Sequence, residues 1–141
     1  MNKTEIGHYI ASGRLEKRFV DMMKARSLIE AAIESGKIYE KLKLEKSTAT
    51  IIFKSIYDGF HQLGEARWSM LGYKPKDHQA TLAILLDANI AQGHKLYQLD
   101  RFRRLRNDTS YEGYRISVGE AIEIAKLWKE VSLDIINWIR G

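Results

Sequence analysis

Apolar positions along this chain recur at three- and four-residue intervals, the period of helices that bury one face. The clearest run is Ala49, Phe53, Ile56, Phe60, Leu63 and Arg67, which predicts one long helix ending near Leu71. Ser47 or Thr48 offers a hydroxyl suited to its N-cap. At 1.5 Å per residue this helix is about 36 Å long. Gly59 and Gly64 inside it each cost roughly 1 kcal/mol relative to alanine. Close approach by another helix, with a second subunit as one source, explains glycine there. Trp68 is expected as a buried anchor.

The same periodicity places the other elements. Residues 1–13 read as a short helical turn closing at Ser12-Gly13. A helix is predicted from Leu15 to Ser35, with Phe19, Met22, Met23, Leu28, Ile29, Ala32 and Ile33 on its apolar face and Gly36 at its C-cap. Lys37 to Lys46 alternates charge and reads as a helical connector. Gly72-Tyr73-Lys74-Pro75 is a turn, with Pro75 suited to open a helix over residues 76–89. Leu96, Leu99, Phe102 and Leu105 form the stripe of the next helix, which Glu112-Gly113 breaks. Ser117-Val118-Gly119-Glu120 is a capping box. It opens a last helix to Arg140 with Val118, Ala121, Ile122, Ala125, Trp128, Val131, Ile135, Trp138 and Ile139 inward, Trp138 being a candidate for a dimer seam. The fold expected is all-α, a single domain over residues 1–141, built as an antiparallel up-and-down helical bundle of four to five helices.

Composition narrows the chemistry. The 141 residues include no cysteine, which excludes disulfides, thiolate metal sites and cysteine nucleophiles. No stretch approaches the roughly 20 apolar residues of a membrane span, and no basic region followed by an apolar run marks a leader. A cytoplasmic protein without membrane contact is expected. No phosphate loop, dinucleotide fingerprint, paired-histidine helix or nucleophile elbow is present. His8, His61, His78 and His94 are scattered in sequence. No metal or cofactor is therefore expected, and His78, in the first turn of its helix, is read as making a structural hydrogen bond.

The formal net charge of +5 permits a polyanionic partner. Its most concentrated part is Arg101-Phe-Arg-Arg-Leu-Arg106, four arginines in six positions, followed by Asn107 and Asp108. Arginine forks match phosphate and carboxylate oxygens in a bidentate way. On a helix Arg103, Arg106 and Asn107 share one face. Asp100 reaches Arg103 or Arg104. Exposed pairs of that kind contribute only about 0.3–0.5 kcal/mol each, so stability gives little reason for the cluster. The bland alternative is a solvated helix in which Asp100 or Asp108 ties up Arg106.

Arg106-Asn107-Asp108-Thr109-Ser110-Tyr111 resembles the motif of the HEPN superfamily of small helical domains. That motif is an arginine, a polar residue such as asparagine, and a histidine after four to six intervening positions. Arg106 and Asn107 match its first two positions, and Tyr111 stands where the histidine belongs. The resemblance extends more diffusely over Leu63-Gly64-Glu65-Ala66 and over Gly72 to His78, and the order of elements agrees from about residue 15 onward.

The resemblance implies a dimer whose two motifs face one cleft. It implies action on RNA, as a metal-independent ribonuclease or as a binder, and pairing with a small nucleotidyltransferase in a toxin–antitoxin arrangement. The residues it brings forward as catalytic are Arg106, Tyr111 and Asn107. Arg101, Arg103, Arg104 and Tyr114 are candidates for RNA contact. Arg106 suits stabilisation of a crowded phosphorane, because its charge persists at every working pH. Tyrosine in place of histidine is a departure, since a phenol with an ordinary pKa of about 10 is a donor rather than a proton acceptor at neutral pH. The other reading is a non-catalytic dimeric interaction module that uses the same arginines on a protein partner.

Overall fold

The 23-residue helix Ala49–Leu71 (α4) is the element on which the others pack. The computed structural model describes residues 1–141. Before α4 come α1 (Lys3–Ala11), a short strand β1 (Leu15–Lys17), α2 (Met22–Gly36) and α3 (Ile38–Lys41). After it come β2 (Tyr73–Pro75), α5 (His78–Ala83), 3-10 turns at Ile84–Asp87 and Gly93–Tyr97, α6 (Gln98–Tyr111) and α7 (Val118–Arg140). The fold is mostly helical, with one two-stranded sheet. No helix is long and apolar enough to cross a membrane.

The three- and four-residue spacing in α4 buries Ile52, Phe53, Ile56, Tyr57, Phe60, Leu63 and Trp68, each at most 1% exposed. Its helical partners include α2, α7, α5 and α6. Two glycines set the close approaches, both within the chain. A Cβ on Gly59 would stand 2.9 Å from the Trp128 ring of α7, and one on Gly64 would stand 2.3 Å from the Thr81 carbonyl oxygen of α5. Trp128 also meets Phe60 edge to face, with ring centres 5.0 Å apart. The Trp68 indole is buried as expected, and its Nε1 donates to the Ala80 carbonyl at 3.0 Å. These contacts fix α5 against α4 at the point where α5 carries His78.

Several expectations need correction. The helix predicted from Leu15 begins at Met22, because Leu15–Lys17 pairs antiparallel with Tyr73–Pro75, Leu15 opposite Pro75 and Lys17 opposite Tyr73. Gly13 in the left-handed region turns the chain into this strand. Phe19 and Met23, expected inward, are 96% and 79% exposed. Pro75 ends β2 instead of opening a helix. Asp77 is the N-cap of α5, its carboxylate accepting from the Ala80 N–H at 2.7 Å. The α-helix expected over residues 76–89 is α only to Ala83. Thr48 stands at the N-cap of α4 without capping it, because its hydroxyl accepts from the Glu45 N–H instead. Of the α7 stripe, Ile122 is 50% exposed, whereas Ile124, Leu127 and Ile136 are buried. Trp138 is half-buried, as its place in the stripe requires, and the Arg67 guanidinium lies over its ring, 4.6 Å from ring centre to Cζ. The capping box of α7 forms as read, with Ser117 and Glu120 bonding reciprocally.

Candidate functional site

The antiparallel pairing of β1 with β2 returns the α1–β1 corner to the start of α5, and α6 closes the third side. A cavity of about 530 Å³ lies between them. Arg14, Asp77, His78, Gln79, Arg103, Arg106, Asn107, Ser110 and Tyr111 line it. Only Tyr111 brings an apolar body, so the space suits a hydrophilic ligand rather than a greasy one. Three guanidinium groups face one carboxylate, which gives the cavity a positive field.

The arginines differ in how far they are already satisfied. Arg14 holds Asp77 through both carboxylate oxygens, at 2.7 and 3.2 Å, and also donates to Gln79. Arg103 is bound to Asp100 at 3.0 and 2.9 Å. Arg104 shares the same carboxylate at 3.7 Å, and Arg101 pairs with Glu123 of α7. Arg106 alone of the α6 cluster has no carboxylate partner. Its Nη1 donates to the Ser110 hydroxyl at 2.6 Å, and its buried Nε has no partner at all. A buried unpaired donor is unfavourable by about 1–3 kcal/mol. Neither Asp100 nor Asp108 ties it up.

His78 sits across the cavity from this group. Its Nδ1 lies 3.1 Å from the hydroxyl of Tyr57 on α4, a hydrogen bond whose direction follows the ring tautomer. Burial pushes the Tyr57 phenol above its ordinary value against the opposing charges of Arg103 and Arg106, so it stays protonated. Burial, reinforced by His61 and then by Arg106, pushes the His78 imidazole below its usual 6.5. The ring is therefore mostly neutral at neutral pH. Behind it His61 approaches, with ring centres 4.4 Å apart, and donates Nδ1–H to Glu65 at 2.8 Å. That bond is the main reason the Glu65 carboxyl lies below its usual range. No three metal-binding side chains gather at one point.

Of the residues singled out in the sequence, Arg103, Arg106, Asn107 and Tyr111 line the cavity together. Arg101 and Arg104 lie outside it on the same helix. Tyr114 is also outside, donating to Glu120 at 2.8 Å. Tyr111 is 79% exposed at the cavity rim. Sequence reasoning missed Arg14, Asp77 and Gln79, and it gave His78 only a structural bond. The Asp77-His78 pair at a helix start was the available signal. What it lacked was the strand pairing that brings Arg14 to Asp77 across 63 positions. Comparison of the chain with family models, curated proteins and solved structures finds no match.

Proposed function

We propose that this chain is a HEPN-type protein that binds RNA in the Arg106 cavity and cleaves it without a metal. The observation that supports this most directly is Arg106 itself. It is a guanidinium with a buried, unpaired Nε and no carboxylate partner, in a polar cavity shared with a neutral histidine. In this reading the four long helices α2, α4, α6 and α7 form an antiparallel up-and-down bundle. The protein works in the cytoplasm as a homodimer, and a small nucleotidyltransferase is its partner in a toxin–antitoxin pair.

The chemistry assigned to the site is transesterification. His78 Nδ1–H donates to the Tyr57 oxygen, which leaves the lone pair of Nε2 to take the proton of a ribose 2′-OH. The 2′-oxygen attacks phosphorus, and the resulting phosphorane is met by Arg106, with Arg103 beside it. The 5′-oxygen leaves with its bonding electrons and takes a proton from the Tyr111 hydroxyl. The products are a 2′,3′-cyclic phosphate and a free 5′-OH. Asn107 orients the phosphate. This assignment moves proton abstraction from the motif position, where tyrosine stands, to His78, and leaves Tyr111 as a donor.

The rival reading is the non-catalytic interaction module, favoured by the 79% exposure of Tyr111 on the helix that also carries exposed Arg104. Incubation of the purified protein with mixed RNAs in chelator separates the two. Cleavage by the wild type that is lost in Arg106→Ala and in His78→Ala supports the enzyme. Cleavage unchanged in Arg106→Ala removes the site assignment.

A further inference from the structure

His78 and Asp77 are also walls of a second hollow, whose other walls include Lys24, Lys74 and Lys76. That hollow shares Lys24, Ser69, Tyr73 and Lys74 with a third, which opens at Arg18 and Phe19. The three hollows adjoin at these shared walls, in a row from the Arg106 cavity to Phe19. Lys76 and Arg18 are both engaged by Glu16. Lys24 and Lys74 are exposed and make no ion pair. Two lysines without an ion-pair partner therefore stand along the middle of the row, beside the Glu65 and Asp21 carboxylates, with Phe19 at its far end.

Phe19 is 96% exposed, yet its backbone is not loose. On one side the Arg18 N–H donates to the Gly72 carbonyl at 2.7 Å, and on the other the Asp21 N–H donates to the Ser69 carbonyl at 3.0 Å. The Asp21 carboxylate then caps α2 through the Lys24 N–H at 2.9 Å. Gly72, left-handed at φ +87°, gives room for this crossing, since a Cβ there would lie 3.0 Å from the Arg18 carbonyl oxygen. The fold thus holds an aromatic ring out in water on a braced knuckle. Unpaired lysines along a groove that leads to a pre-ordered aromatic face can bind a single strand, by phosphate contacts along the groove and base stacking at its end.

We propose that this row of hollows is an extended subsite for single-stranded RNA, with Lys24 and Lys74 on the phosphates and Phe19 under a base flanking the reaction site. The inference rests on the RNA reading above and specifies its substrate: an unpaired strand several nucleotides long, rather than a duplex or a mononucleotide.

Fluorescence anisotropy with labelled 2′-O-methyl oligoribonucleotides, which transesterification cannot consume, tests it. The probes are a single strand of about twelve nucleotides, within the usual range of single-strand site sizes, and a dinucleotide. Phe19→Ala should weaken the long strand about tenfold, the scale of one lost stacking contact, and leave the dinucleotide unchanged. Phe19→Trp should restore binding. Lys24→Gln with Lys74→Gln should reduce the salt slope on the long strand by about 1.4. Because these side chains are exposed, thermal melts should match the wild type.

Equal affinity of wild type and Phe19→Ala for the long strand, with Arg106→Ala still defective, overturns the extended subsite and leaves the cavity reading standing. If the wild type binds neither probe, both fall. Loss of self-association or of anionic-vesicle sedimentation in Phe19→Ala, with RNA binding intact, also overturns the proposal and makes the knuckle a subunit or membrane contact.

Discussion

Asp77→Asn isolates the one negative charge in the cavity. Asp77 does two jobs: it caps α5 through the Ala80 N–H and it clamps Arg14 through both oxygens. Asparagine caps about as well as aspartate, so the helix start survives. What is lost is an ion pair whose side chains are 35% and 41% exposed, and solvent screening limits that loss to about 1 kcal/mol. The Arg14 hydrogen bond is the main cause holding the Asp77 carboxyl below its usual 3.8. A depressed carboxylate contributes stability that is present above the unfolded value and lost as pH falls through the folded one. Wild type and variant should therefore differ at neutral pH and converge in thermal melts as pH falls below 3.8.

For RNA the sign is opposite. Arg14 released from its carboxylate adds one phosphate contact, worth about 1 kcal/mol or roughly fivefold in affinity. The slope of log K against log salt should steepen by about 0.7 for a single strand. Anisotropy across a salt series reads both quantities. Weaker binding by Asp77→Asn, or an unchanged slope, would refute the claim that the cavity receives phosphate.

Other outcomes follow from the same contacts. Gly64→Ala gains about 1 kcal/mol of helix propensity but drives a methyl toward the Thr81 carbonyl oxygen, 2.3 Å from the built Cβ, where overpacking costs about 1–3 kcal/mol. A thermal melt should show net destabilisation, and a raised melting temperature would contradict the close α4–α5 packing. Tyr57→Phe removes the partner of His78 Nδ1. It should lower kcat about tenfold, a part of the hundredfold or more that a general base contributes, with little change in KM, whereas an unchanged kcat removes Tyr57 from the mechanism. Since the His78 value lies below 6.5, cleavage should be at full rate at neutral pH and fall as acid protonates the ring. A rate that instead rises as pH drops below 6.5 would exclude His78 as the base.

The long helices were legible because each buries one face on a strict period, as Phe53, Ile56, Phe60 and Leu63 do on α4. The capping box at Ser117 was legible because its two partners are three residues apart. Leu15–Lys17 was not, because a three-residue strand is too short to show alternation and its partner lies near residue 74. Missing that pairing misplaced Phe19 and hid Arg14. Within the cavity, Arg103, Arg106, Asn107 and Tyr111 come from one helix; spacing grouped the first three, and the motif resemblance added Tyr111. His78 and Asp77 join them, and His78 meets Tyr57, only through the packing of α5 on α4, which Gly64 permits. Gly59 and Gly64 signalled close approach correctly, but the neighbours are Trp128 and Thr81 of the same chain.

The most direct measurement is the affinity of a single-stranded 2′-O-methyl oligoribonucleotide across a salt series for wild type and Arg106→Gln. If the Arg106 guanidinium, which has no carboxylate partner, waits for a phosphate, the variant binds more weakly at every salt concentration and its slope is shallower by about 0.7. Superimposable lines for the two proteins would contradict the account.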